Sequence, residues 1–204
     1  MKIGKRNSIA FTAVAAALLV LVLGPRGGAA ELYASSQSQA STVSGSAANA
    51  PAANPADVSS IDAILRAAYD TISGPAGRQR DWDRFRSLFV SGARLAAVVP
   101  NHQEGFRTVV LSPEDYVQHD DAYFQTHGFF EREVARRTER FAGIAQVFST
   151  YESRHAAADA KPFERGINSF QLMNDGRRWW IVTIFWQGET PESPIPQEFL
   201  QGLN

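Results

Sequence analysis

From Ile61 onward the apolar residues Ile61, Ile64, Leu65, Ala68, Tyr69 and Ile72 recur three and four positions apart, the spacing that gathers one face of an α-helix. Ser59 and Ser60 offer a cap before this run, and Gly74-Pro75 stops it, so the pattern predicts a helix of about four turns. Asp81 caps a second helix, in which Trp82, Phe85, Leu88 and Phe89 share a face and which Ser91-Gly92 closes. Ala93–Val99 and Phe106–Leu111 read as strands joined through Pro100–Gly105. Ser112-Pro113-Glu114-Asp115 begins a third helix, because proline fits a first turn and acids meet the positive end of the helix dipole. That helix runs to Thr126 and stops at Gly128.

Beyond Gly128 the period changes. Phe129–Phe141 mixes Glu with Arg and suits either a solvated helix or a strand, and Phe130 and Val134 on one parity favour the strand. Ile144–His155, Phe163–Asn174 and Arg178–Gln187 are rich in branched and aromatic residues, and Asn174-Asp175-Gly176 is a hairpin turn signal. Helices first and strands last indicate an α+β domain, with N-terminal helices packed in a bent antiparallel sheet. A Pro-rich tail follows from Pro191, with Phe199 and Leu200 placed to dock back.

In the last strand Trp179, Ile181, Thr183 and Phe185 alternate with Trp180, Val182, Ile184 and Trp186, so both sides of it are apolar. A sheet with one wet face would carry polar residues at every second position. One face should therefore cover the helices and the other a second buried surface. The expectation is a homodimer, packed sheet to sheet through Trp180, Ile184 and Trp186.

The N-terminus reads differently. Lys2, Lys5 and Arg6 precede an uncharged run, Ile9–Leu23, that Gly24-Pro25 breaks, in the order of a secretory signal. Its 15 residues fall short of the roughly 20 that cross a bilayer core. Residues 1–30 are expected to be a signal peptide cut after Ala30, or a signal anchor if uncleaved, which would be the chain's one contact with a membrane. The location that follows is exported, periplasmic or secreted. Residues 31–57 are mostly Ser, Ala, Pro, Gln and Asn; they bury too little to offset ordering entropy and read as a disordered linker. A domain over 58–190 and a tail over 191–204 remain.

Composition narrows the chemistry. The 204 residues include 20 Lys and Arg, 21 Asp and Glu and no Cys, which excludes disulfides, thiol nucleophiles and thiolate metal sites. Four cations and one anion fall before residue 57, so the remainder has a net charge of −4 and a single lysine, Lys161. Without a cationic run it has little to neutralise phosphates, and nucleic acid is not an expected partner. His102, His119, His127 and His155 show no ligand spacing, and no metal or cofactor is expected. His119, followed by Asp120 and Asp121, is the best candidate base, yet residues one and two apart do not face each other on a helix. A polar cluster on the helix surface is the plainer reading. Arg132, Arg136, Arg137 and Arg140, interleaved with Glu131, Glu133 and Glu139, read as salt-linked flanks of a strand.

Three segments together resemble the nuclear-transport-factor-2-like superfamily, the SnoaL-like or cystatin-like cones, across residues 58–188. They are the first helix with Tyr69, the run from Asp81 to Phe89 leading into Ala93-Arg94-Leu95, and the hairpin from Gly176 through Trp179 and Ile181. The resemblance implies a cone-shaped α+β barrel: a strongly bent sheet closed by helices, with an apolar cavity at its wide end, commonly in dimers. That fold hosts ketosteroid isomerases, scytalone dehydratase, cyclases similar to SnoaL and binding domains, so it does not choose a reaction. The isomerase base would fall at Ala97 or beside it at Ala96 or Val98, where no carboxylate stands. Asn168 takes the place of that family's protonated Asp, and Tyr69 is a candidate phenol donor. The expected function is an exported small-molecule-binding domain with Tyr69, Tyr116, His119, Asn168, Phe170 and Thr183 around the ligand. Two alternatives stand beside it: a lyase, isomerase or cyclase with His119 or a pocket carboxylate as base, and a structural dimerisation module whose cavity its own aromatic side chains fill.

Overall fold

Four helices and six strands make up the computed structural model, which describes residues 51–101 and 105–202. The expected signal segment and most of the expected linker lie outside the described residues. The first helix, α1 (Pro55–Val58), shows ordered packing slightly before residue 58: Asp57 accepts two hydrogen bonds from the Arg84 guanidinium, at 2.8 and 2.9 Å. Helix α2 (Ile61–Ile72) starts where Ser60 Oγ accepts from the Ala63 amide at 3.1 Å, and it buries Ile64 and Leu65 completely. Helix α3 is short (Trp82–Arg86), and Asp81 caps it as expected. Leu88 and Phe89 do not extend it, because the Leu88 carbonyl accepts from the Ile181 amide at 2.9 Å and draws the chain into the sheet. Strands β1 (Phe89–Pro100) and β2 (Phe106–Leu111) precede α4 (Pro113–Thr126), which a reciprocal Ser112–Asp115 capping box opens. Then come β3 (Phe130–Phe141), β4 (Ile144–Arg154), β5 (Glu164–Asn174) and β6 (Trp179–Gly188).

The strand order is β2-β1-β6-β5-β4-β3. Four of the five pairings are antiparallel; β1 and β6 run parallel. The sheet is therefore mixed rather than wholly antiparallel. It is also an open cone rather than a closed barrel, with β2 and β3 as edges. Extra residues bend it, since a bulge kinks the strand and increases its twist. Val134 is the extra residue where β3 pairs with β4, and Val182 where β5 pairs with β6. A third irregularity between Phe89 and Arg94 includes Gly92 at φ 79°, a left-handed conformation that glycine adopts without strain.

The Val182 bulge corrects the alternation expected for β6. Trp179 and Ile181 face the core, but beyond the bulge the inward positions become Ile184 and Trp186. Val182 and Phe185 are exposed, at 37% and 45%, whereas Ile184 is at 9%. Trp180, Ile184 and Trp186 thus do not form one outer face, and a sheet-to-sheet dimer cannot use all three. Part of the outer surface is covered from within. The 3-10 turn Gln197–Phe199 docks there, with the Phe199 ring 5.6 Å from that of Phe148 and its carbonyl accepting from Thr150 Oγ1 at 2.5 Å.

Arg80 fastens the helical layer to the mouth of the cone. Its side chain is only 4% exposed and donates to the carbonyls of Ile72, Gly74 and Arg78 at 2.7–2.8 Å. Gly74 in turn pairs with Phe129 just before β3. The five N–H donors of a planar guanidinium can meet several orphaned carbonyls together, which neither Lys nor an apolar residue can do. Arg80→Ala is expected to lower the unfolding free energy by roughly 2–4 kcal/mol, measured by urea denaturation. A loss below about 0.5 kcal/mol, the range of ordinary surface changes, would show that these contacts do not hold the helices in place.

Candidate functional site

Inside the bend is a cavity of about 400 Å³. Its apolar wall comes from α2, β1, β5 and β6 through Ala68, Leu95, Ala97, Phe170, Ile184 and Trp186. Its polar wall holds the carboxyl groups of Asp120 (α4), Glu131 (β3) and Glu164 (β5), with the phenols of Tyr69, Tyr116, Tyr123 and Tyr151 and the amide of Asn168, and the Arg165–Glu189 pair also borders it. Gly166 makes room for one of these. A Cβ at that position would lie 2.5 Å from the Tyr151 hydroxyl, so glycine lets Tyr151 cross β5 and donate to Glu164 Oε1 at 2.8 Å.

Hydrogen bonds order the polar wall from the outside in. Arg136, held by Asp62 and Glu133, leads to Ser149, which donates to Glu133 Oε1 at 2.6 Å. The bulge at Val134 permits this, because it brings Glu133 and Arg136 to one face of β3. With the Ser149 proton engaged, the contact of 2.6 Å to Tyr69 requires the phenol to donate to Ser149 Oγ. Asn168 Nδ2 then donates to the Tyr69 oxygen at 3.2 Å and to Glu131 Oε1 at 3.3 Å. Ser153 Oγ donates to Glu131 Oε2 at 2.8 Å. Ser149 and Ser153 are fully buried, and Asn168 nearly so.

Burial sets the charge state here. Withdrawal from water pushes Glu131 up to about 7, with the nearby Glu164 carboxylate adding to the rise and Ser153 and Asn168 opposing it. Asp120 is pushed up to about 6 by burial, against the hydrogen bond from His119. Glu164 is raised for the same reason, opposed by Tyr151. Burial also raises the Tyr69 phenol far above its ordinary value, so it stays protonated.

Of the residues singled out in the sequence, Tyr69, Tyr116, Asn168 and Phe170 border the cavity. Tyr69 does not offer its proton to the interior, because Ser149 takes it. His119 lies behind the wall, its Nδ1 3.1 Å from Asp120 Oδ1; this neighbour contact runs against the helical-spacing argument. Thr183, next to the bulge, is absent from the lining. Asp120, Glu131, Glu164 and Tyr151 were not singled out. Glu131 read as a salt-linked flank, but Arg132 pairs with Glu152 instead, at 3.2 Å. Parity held the missing signal: on β3, Glu131 and Glu133 face one way and Arg132 the other. Among the described residues no three His, Asp or Glu side chains converge as metal ligands, and no helix is long and apolar enough to cross a membrane.

The raised carboxyl groups carry a stability cost with a definite sign. Between about pH 4.5 and 7 the folded chain holds a proton on Glu131 that the unfolded chain has released, so stability falls as pH rises through that window and stays lower above it. Glu131→Gln is therefore expected to raise the unfolding free energy at pH 8 by an amount on the order of 1–3 kcal/mol, seen as a higher melting temperature, and to leave both nearly unchanged at pH 4. Thermal unfolding at both pH values checks this, and an equal shift at both contradicts it.

No family model matches the chain, and no curated protein matches it significantly. Solved structures do. A cystatin-like protein of unknown function from Nostoc punctiforme is similar at 10% identity and a TM-score of 0.49, covering 64% of this chain and 90% of its own. A proposed dehydratase of the nuclear-transport-factor-2-like family from Streptomyces avermitilis aligns at 11% identity and a TM-score of 0.48, over 66% and 96%. A proposed ketosteroid isomerase from Kribbella flavida aligns at 17% and 0.36, over 74% and 95%. What these structures have in common with the chain is a likeness of fold alone.

Proposed function

We propose that the cone holds one small organic molecule, with an apolar body against Phe170, Ile184 and Trp186 and a polar end against the carboxyl wall. The observation that carries this reading is the cavity of about 400 Å³. Cores that serve stability alone are close-packed, with few voids larger than a water molecule, whereas small-molecule sites occupy roughly 300–1,000 Å³ and combine apolar walls with a few convergent polar groups. The hollow argues against a module whose own aromatic side chains fill the cone.

A second reading is favoured by one feature, the position of two carboxyl groups near neutrality, Asp120 at about 6 and Glu131 at about 7. General acid–base catalysis works best when the pKa of the group lies near the operating pH. In a lyase, isomerase or cyclase acting here, Glu131 or Asp120 would move the proton, and His119 would act only through its hydrogen bond to Asp120. Where turnover is found, kcat/KM is expected to show an acidic limb near pH 7 that Glu131→Gln abolishes; an unchanged profile in that variant removes Glu131 from the chemistry.

Binding itself is tested with N-phenyl-1-naphthylamine, a neutral dye that brightens in apolar surroundings. The expected result is saturable binding of one dye per chain, weakened at least tenfold by Ala97→Phe, which fills the cavity while circular dichroism stays unchanged. Dye binding that ignores this substitution would place the site elsewhere.

A further inference from the structure

The hydrogen-bond directions on the polar wall restrict what the cavity can recognise, and this step rests on the small-molecule reading above. The phenol, hydroxyl and amide donors beside the carboxyl groups already have acceptors inside the protein. Tyr69 donates to Ser149, Tyr151 to Glu164, Ser153 to Glu131, and Asn168 to both Tyr69 and Glu131. What remains toward the hollow from these groups is acceptor capacity, since a carboxylate has about four lone-pair sites and Glu131 and Glu164 use only part of theirs. Tyr123, half-exposed at the border, is a remaining phenol.

The balance of charge points the same way. Buried carboxylates are ordinarily paired with cations, yet among the described residues no ion pair includes Glu131 or Glu164. The neighbouring cations are engaged elsewhere: Arg132 and Arg154 with Glu152, Arg136 with Glu133 and Asp62, and Arg80 with backbone carbonyls. Arg165, on the cavity border, is ion-paired with Glu189 at 3.3 Å, although its Nε makes no hydrogen bond. The cavity thus combines two carboxyl groups that lack a positive partner with aromatic faces from Tyr69, Phe170 and Trp186, and such faces attract cations placed over them.

We infer that the cavity is selective for an organic cation: an apolar amine whose ammonium group sits between Glu131 and Glu164 and donates to both, while its hydrocarbon body lies against the aromatic wall. An ammonium supplies the donors and the positive charge that this wall lacks, and charge-assisted hydrogen bonds are roughly twice as strong as neutral ones. A carboxylic acid of the same shape would bring a third anion to the site and find no free cation beside Glu131 and Glu164.

Three probes sharing one apolar body separate the possibilities: 2-naphthylmethylamine, 2-naphthylmethanol and 2-naphthoic acid, titrated at pH 7.5 by isothermal calorimetry. The expected result is that the amine binds at least tenfold more tightly than the alcohol and the acid most weakly of the three. In the Glu131→Gln/Glu164→Gln double variant, amine affinity is expected to fall at least tenfold and its advantage over the alcohol to vanish. Equal affinity for amine and alcohol, or preference for the acid, overturns the cation inference and leaves the cavity reading intact. Failure of all three probes to bind, together with failure of the neutral dye, overturns both. Because the three probes are compared on the unaltered chain, the outcome does not depend on the double variant folding.

Discussion

Enclosure of Glu131, with Asp120 and Glu164, in a cone of apolar and aromatic side chains is the constraint on which the rest of this structure turns. A carboxyl group removed from water favours its neutral form unless donors or cations support the charge. Here the support comes from neutral groups alone around Glu131, namely Ser153 Oγ and Asn168 Nδ2. The balance leaves Glu131 poised near neutrality instead of permanently ionised. A group in that condition responds strongly to whatever enters beside it, which is why perturbed carboxyl groups in cavities mark functional sites.

The curvature that makes this enclosure also organises its polar lining. Without the Val134 bulge, Glu133 and Arg136 would face opposite sides of β3, and the inward path through Ser149 to Tyr69 would lack its outer anchor. Tyr69 carries the path from the sheet to α2, the helix that Arg80 and Gly74 tie to the start of β3. Packing and proton direction are therefore set by the same elements. A buried network of this kind is most valuable when every member is satisfied, because a half-satisfied one costs more than an apolar core.

Much of the scaffold was legible in the sequence because its signals are local. Ser60, Asp81 and Ser112 cap the helices at the expected residues, and Asn174-Asp175-Gly176 turns the β5–β6 hairpin. Strand partners are not local information. The parallel β1–β6 junction depends on where the chain returns after α4 and three antiparallel turns, and no spacing within either strand encodes it. The Val182 bulge was hidden for a related reason: Thr183 is the one polar residue in the run Trp179–Trp186, too little for a parity change to register. The site suffered from both effects. Tyr69 and Asn168 were singled out through the resemblance to a family and border the cavity with Tyr116 and Phe170, but Glu131, Glu164 and Asp120 come from three separate elements that the fold alone brings together. In sequence, Glu131 sits beside Arg132, which turns out to face outward and to pair with Glu152.

Carbon-13 NMR titration of the Glu131 side-chain carboxyl tests the central claim most directly. The account requires a midpoint displaced to about 7 in the free protein. It also requires that midpoint to fall when 2-naphthylmethylamine is bound, because a neighbouring cation stabilises the ionised form. A midpoint in the ordinary range near 4.3, indifferent to the amine, would mean that water reaches Glu131 freely and that the enclosure described here does not exist in solution.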